Sequence, residues 1–293
     1  MLDYINDPPA RQAVLCANAN KRQHMPSLQG KIAVVVGASG SIGSATTRAL
    51  SARGATVVLA ALPDAALTAL ADEIRSGGGQ VLAVPTDITA RADIDRLVAT
   101  TLESFGRIDI LANIAGVGSS PSLCDTDDET LRTVVEINLL GAARLMHAVL
   151  PAMKAQHSGA IVNVGSVAGE AGVMGIYSGS KFGLRGLSDS VRREVRSFGI
   201  GVSLIEPGFV RSPMNPAHGD RLPGPEIVAD AVLAAIARPR RVSIVPWTYR
   251  IPILLVKLFP GLTDLVFGDA RIQERLNRDS RRQKDPQCSE QSS

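Results

Sequence analysis

Lys31-Ile32-Ala33-Val34-Val35-Val36-Gly37-Ala38-Ser39-Gly40-Ser41-Ile42-Gly43-Ser44 is the stretch that decides the fold. Five apolar, mostly β-branched residues in succession have the pattern of a parallel strand buried on both faces. They run directly into Gly37, Gly40 and Gly43, and from Ser44 an Ala/Leu-rich run with helical spacing follows. A glycine turn between strand and helix allows close approach of a pyrophosphate, whose charge rests on the N–H groups of the helix N-terminus. Alone such a turn is weak evidence, because any loop that needs positive φ also selects glycine.

The same alternation continues outward. Residues 56–59, 81–84, 108–112, 161–164 and 202–205 read as further buried strands. Residues 44–53, 64–76, 91–105, 129–156 and 178–198 show helical spacing, with Gly54, Gly106 and Gly199 placed to stop helices. A βαβ series with right-handed crossovers makes an α/β, doubly wound parallel sheet of about seven strands, a three-layer αβα Rossmann-type domain that binds ligands at the carboxyl ends of its strands. The expected organisation is a flexible lead-in at 1–27, a single catalytic domain at 28–246, a hydrophobic extension at 247–270 and a polar, disordered tail at 271–293.

Composition agrees. The 293 residues are 45% hydrophobic, 20% charged and only 3% aromatic, so the core must be built from Ala, Val, Leu and Ile. Net charge is +3, and residues 271–293, with six Arg/Lys against four Asp/Glu, carry most of it. Neither a basic stripe nor interleaved aromatics suggest a nucleic-acid partner. Cys16, Cys124 and Cys288 form no disulfide framework, which points to a reducing cytoplasm. The N-terminus lacks an apolar signal core. The apolar stretch 242–268 is cut by Arg250, Pro252, Lys257, Pro260 and Asp264, too interrupted for a transmembrane helix yet suited to a membrane surface or a greasy pocket.

Further motifs follow in order: Asp87-Ile88-Thr89, Asn113-Ile114-Ala115-Gly116, Asn138, Ser166, Tyr177-Ser178-Gly179-Ser180-Lys181 and Pro207-Gly208-Phe209-Val210-Arg211-Ser212. Over 28–241 this set resembles the short-chain dehydrogenase/reductase family, with its TGxxxGxG, NNAG, YxxxK and PGxxxT motifs. The resemblance implies a nicotinamide cofactor held by Gly37, Ser39, Gly40, Ser41, Ile42, Gly43, Ala61, Leu62, Asp87, Ile88, Asn113, Ala115, Gly116, Tyr177, Lys181, Pro207, Gly208, Val210 and Ser212. It implies catalysis by Asn138, Ser166, Tyr177 and Lys181, and a homodimer or homotetramer paired through the two long helices.

The chemistry suits these residue types. Reducing a ketone develops alkoxide charge that needs a proton donor, and the reverse reaction needs a base at the same place. A phenol serves both, and Lys181, one helical turn beyond Tyr177, supplies the cation that favours phenolate near neutral pH. Ser166 would hydrogen-bond the substrate oxygen and Asn138 would hold a water that continues the relay. Singly, each has an ordinary reading: a chance Tyr/Lys spacing, a small turn residue, a packed polar side chain. His147, His157, Cys124 and Met146 read as structural or surface residues, since no metal-ligand spacing exists.

Departures from the family pattern are specific. Val36 stands where the family has Thr and loses a hydrogen bond towards Asn113. Ser41 replaces the middle glycine, Ile114 the second Asn of NNAG, and Ser166 precedes Tyr177 by eleven residues, about two fewer than expected, which shortens the 167–176 loop. The second strand ends in Ala61-Leu62-Pro63, without the carboxylate that binds the ribose of NAD, so the cofactor expectation is NADP or NAD, leaning to NADP, with Arg48 or Arg53 aiding only if geometry allows. Val167, Val173, Met174, Phe209 and Met214, with Trp247 and the 251–267 segment, would wall a pocket for a hydrophobic alcohol or ketone, steroid- or terpenoid-like, under a Gly/Pro-rich lid at 215–224. The same apolar wall also reads as a dimer surface or a peripheral membrane contact. The expected activity is interconversion of a secondary alcohol and a ketone, with β-ketoacyl thioester reduction or a non-catalytic nucleotide-sensing protein as alternatives.

Overall fold

The computed structural model describes residues 26–119, 122–212, 222–269, 272 and 274. The expected lead-in and tail thus lie almost wholly outside the described residues, as do Met214 and most of the expected lid.

Seven parallel strands form one sheet in the order β3-β2-β1-β4-β5-β6-β7: β1 (Ile32–Val36), β2 (Thr56–Ala61), β3 (Val81–Pro85), β4 (Ile110–Asn113), β5 (Gly159–Val164), β6 (Ile200–Pro207) and β7 (Val242–Val245). The chain winds outward from β1 in one direction, then returns to its other side at β4. The crevice at that reversal, beyond the carboxyl ends of β1 and β4, is where this topology binds ligands. Register places Val36 beside both Ala60 and Asn113, so the first three motif loops start at one level.

Helices α1 (Ser41–Ser51), α2 (Ala65–Ser76) and α8 (Glu226–Ala237) cover one face; α3 (Arg91–Phe105), α5 (Ala142–Gln156) and α7 (Gly175–Glu194) cover the other. Both layers are apolar because successive residues of a buried strand serve opposite faces. Ile32, Val34 and Val36 pack with Ile94, Leu97, Leu145 and Val149, while Ala33 and Val35 pack with Leu50, Leu67 and Leu70. Asp64 caps α2 by accepting from the Leu67 N–H at 2.6 Å, and Gly106, in the left-handed region at φ 71°, ends α3.

The structure adds detail to three expectations. The helix over 129–156 is continuous, with α4 (Asp128–Val135) passing through a π-helical turn at Glu136–Gly141 into α5. The 167–176 loop contains a short helix, α6 (Ala168–Ala171), and α7 already starts at Gly175. The apolar stretch after 242 opens as the seventh strand, then continues as α9 (Arg250–Leu258) and α10 (Pro260–Phe267). The run Asp128–Gln156 has the length and apolarity of a membrane span, but Leu145, Met146, Val149 and Met153 bury it against the sheet.

Candidate active site

Strand β1 delivers Gly37 in the left-handed region at φ 80°, where a Cβ would sit 2.7 Å from the Ala115 nitrogen. A Cβ on Gly43 would meet the Gly37 carbonyl oxygen at 1.9 Å. Both glycines are therefore required for the turn to fold against the loop after β4, whereas Gly40 has room. Helix α1 starts at Ser41 with no side-chain cap and no acidic residue in its first turn. That leaves a cradle with positive helix-end polarity, suited to a phosphate pair. The Ser41 carbonyl accepts from the Ser44 hydroxyl at 3.2 Å, a local bond compatible with the cradle.

The adjoining wall is built by loops after β2, β3 and β4. Ala61 is buried at the end of β2 and Leu62 is exposed. The nearest following carboxylate, Asp64, is committed to its helix cap. Arg48 is held by both carboxylate oxygens of Glu73, at 2.7 and 2.8 Å, and is not aimed into the cleft. One Asp87 oxygen accepts from the Thr89 N–H and hydroxyl, while the Ile88 side chain turns into the core against Gly141.

Past Gly116 the loop meets the catalytic candidates. A Cβ on Gly116 would lie 3.1 Å from both Asn138 Oδ1 and Lys181 Nζ, so glycine there is what lets the β4 loop, the π-helical turn and α7 converge. Asn138 is clamped to Val117, accepting from its N–H at 2.8 Å and donating to its carbonyl at 2.9 Å. The same Asn138 amide donates to Ser180 Oγ at 3.1 Å, and Ser180 donates to the Tyr177 carbonyl at 2.7 Å. Ser180 was not singled out from sequence; a small polar residue at the i+3 position of a helix carries no periodic signal.

Lys181 is almost fully buried, donates to the Val164 carbonyl at 3.1 Å, and places Nζ 5.8 Å from the Tyr177 ring centre. Burial lowers its pKa to about 8. Burial pushes the Tyr177 phenol up, and a hydrogen bond with the Ser166 hydroxyl pulls it partly back. The expected lowering by Lys181 is not found: its ammonium is aimed at the Val164 carbonyl, and the Ser166 hydroxyl is what opposes the desolvation of the phenol. Ser166 also accepts from the Ala168 N–H at 3.1 Å, which fixes its hydroxyl at the start of α6.

Of the expected substrate wall, Val167 is tied to the end of β6 by its N–H to the Pro207 carbonyl at 3.0 Å; Val173 and Met174 lead into α7, and Phe209 is half exposed. Gly208 donates to the Val245 carbonyl at 2.7 Å, Val210 is buried, and Ser212 follows at the rim. Asn113 donates to Asn163 at 2.8 Å, yet its Oδ1 is buried with no partner among the described residues, opposite the Val36 that replaces threonine.

Comparison with known proteins adds to this geometry. A family model described as short chain dehydrogenase matches residues 31–222. An uncharacterized oxidoreductase of Staphylococcus haemolyticus is 33% identical over 77% of this chain and 99% of its own. A 3-oxoacyl-[acyl-carrier-protein] reductase of Synechocystis is 36% identical over 75% of this chain and 88% of its own. Among solved structures, a short chain dehydrogenase/reductase from Burkholderia phymatum in complex with NAD superimposes with a TM-score of 0.75 at 28% identity, covering 81% of this chain and 96% of that one.

Proposed function

The chain belongs to the short-chain dehydrogenases and is a dehydrogenase/reductase of CH–OH and C=O groups; from that premise we propose that it interconverts a secondary alcohol and a ketone on an apolar substrate, with NADP(H) as cofactor. The observation that carries the reading is the convergence of Ser166, Tyr177, Lys181 and Asn138 beside Gly116. When bound, the nicotinamide supplies or accepts the hydride.

Each residue then has a proton or an orientation to manage. Tyr177 Oη donates its proton to the carbonyl oxygen, or accepts one from the hydroxyl in the reverse direction. Ser166 Oγ, already beside the phenol, hydrogen-bonds the same substrate oxygen. Lys181, desolvated and near the tyrosine ring, takes part in the relay and binds the nicotinamide ribose. Asn138, clamped by Val117 and Ser180, holds the relay water. Gly37, Ser39, Gly40, Ser41, Ile42 and Gly43 would hold the pyrophosphate, Asp87 the adenine side, and Pro207, Gly208, Val210 and Ser212 the nicotinamide side. Preference for NADP(H) rests on Ala61 and Leu62 alone, since Arg48 is engaged by Glu73.

A second reading, reduction of a β-ketoacyl thioester, is favoured by the 3-oxoacyl-[acyl-carrier-protein] reductases among the relatives. Nothing in the described wall prefers a ring to a chain. Pairing of two copies through Asp128–Gln156 and α7 fits the exposed Leu140 and Phe182 on those elements, and the exposed Cys124 thiol fits a reducing cytoplasm.

Titration with NADPH and NADH, together with Tyr177→Phe assayed on cyclic ketones and on β-ketoacyl thioesters, tests all of this. The expected result is turnover reduced by about 10²–10⁴-fold with nucleotide binding retained. A phenylalanine variant as fast as its parent would sink the catalytic assignment. NADH binding more than about tenfold tighter than NADPH would sink the cofactor preference, and turnover of thioesters alone would select the second reading.

A further inference from the structure

Helix α9 turns a continuous apolar stripe to solvent. A helix on a protein in water turns apolar residues to the core and charges to solvent. In α9 Lys257, itself 43% exposed, reaches the carboxylate of Glu170 on α6, whose side chain is 1% exposed. Ile251, Leu254, Leu255 and Leu258, at the i, i+3, i+4, i+7 spacing of one helical stripe, face outward and are 47–61% exposed. Ile253 is the one residue of α9 in the buried class. The stripe extends to Trp247 before the helix and to Phe259 and Leu265 after it, all more than half exposed. Arg250 lies off the stripe, on the side of Ile253 and Lys257.

We propose that this stripe rests on an anionic lipid surface, with α9 and α10 lying in the plane of the interface. Nine and eight residues of helix reach about 13 Å at most, far short of a bilayer core of about 30 Å, so the pair can lie on a membrane but not cross one. Trp247 and Phe259 flank the stripe as aromatic residues do at a lipid headgroup boundary. Charge complementarity selects lipid over a second apolar protein face. Immediately after the two helices, residues 271–284 hold six basic residues against Glu274 and Asp279. Exposed apolar area followed by a basic run is the two-part signal of reversible attachment to anionic membranes.

The attachment also has an orientation. Tyr249 accepts from the Phe209 N–H at 3.3 Å and its ring stands against Gly208, while Lys257 pins α9 to the helix that follows Ser166. The stripe therefore continues the rim of the candidate active site. This proposal does not depend on the redox reading: attachment would hold for a chain that turned nothing over.

Flotation of the full chain with phosphatidylcholine vesicles, with and without phosphatidylglycerol, tests it. The parent is expected to float with the anionic vesicles, less with the neutral ones, and progressively less as salt rises. Leu254→Asp/Leu258→Asp should bind at least about tenfold more weakly, because two side chains no longer leave water, with unchanged melting temperature and molar mass. A parent that stays at the bottom with both vesicles, or a double variant that floats like the parent, overturns the proposal. So does a double variant of half the molar mass, which would mean that a second copy of the chain covers the stripe. Salt-independent, equal flotation with both vesicles would overturn the electrostatic part.

Discussion

The two ends of the sheet are held together by different forces. Around β1 and β2 the buried residues are aliphatic apart from Thr46, Thr47 and Thr56, and the single buried charge nearby among the described residues, Asp109, is answered by Lys31, Arg107 and the Ile32 N–H. Around β5, β6 and α7 the interior holds Lys181, Glu170 and Glu206, together with Asn163 and Ser188. Arg185, two helical turns beyond Tyr177 on the same face of α7, stands between Glu170 and Glu206, with Lys257 reaching Glu170 from the other side. Pairing there is incomplete: Glu206 Oε2 is buried with no hydrogen-bond partner among the described residues. The contrast teaches that the nucleotide side is a frame fixed by volume, whereas the substrate side adds a buried ionic cluster to an aliphatic core of its own, Val162, Ile205, Val228 and Val232 among it, and its stability must respond to pH and to single charged substitutions.

Removing Arg185 should break that contrast open. Arg185→Met leaves Glu170 and Glu206 without their shared guanidinium, and losing one partner of a buried ionic group costs about 3–5 kcal/mol. Tm by circular dichroism should fall by roughly 6–20 °C. Arg48→Met, which removes the exposed pair with Glu73 on the nucleotide side, should cost about 1 kcal/mol or less. Equal losses in the two variants would show that the supposed difference between the halves is wrong.

Protons sharpen the comparison next. Burial raises the Glu206 carboxyl from its ordinary value to about 7, only partly opposed by Arg185 and Lys257. Between about pH 4.5 and 7 the folded chain therefore binds more protons at this site than the unfolded chain, and stability falls as pH rises. One proton bounds that slope at about 1.4 kcal/mol per pH unit. In Glu206→Gln the downward limb should flatten; an unchanged Tm profile over that window would assign it to other groups.

The smallest effect is expected on the nucleotide side. Val36→Thr offers a hydroxyl to the unpartnered Asn113 Oδ1 across the β1–β4 pair and should add about 1 kcal/mol, or roughly 2–4 °C in Tm. A lower Tm would mean that the hydroxyl is buried without reaching the amide.

The same contrast explains what could be read in the sequence. Strands β1 to β6 are visible because continuous β-branched runs bounded by glycine have few other meanings, and the Val36 departure pointed correctly to an unsatisfied group near Asn113. The Tyr177/Lys181 spacing was legible because helical period places both on one face. Strand β7 was lost inside an interrupted apolar stretch, and α8, apolar on nearly all sides, offered no polar face to mark its period. The π-helical turn was invisible since its residues still look helical one by one. Glu170, Arg185, Glu206 and Lys257 gave no local sign at all: each is one charged residue among many, and only folding brings positions 170 and 257 into contact.

The π-helical turn at Glu136–Gly141 makes chain length, rather than chemistry, the sensitive variable in that part of the molecule. A wide turn holds one residue more than an α-helix needs, so it puts α4 and α5 out of angular phase with each other. Asn138 reaches Val117 and Ser180 from inside that offset. Substitutions at the exposed Leu140 leave the phase intact. Loss of any single residue between 136 and 141 lets the run relax into continuous α-helix and rotates one flank by about 100°. Either the Asn138 clamp or the buried row of Leu145, Val149 and Met153 would then turn away from its partners, so this segment tolerates a changed side chain far better than a changed number of residues.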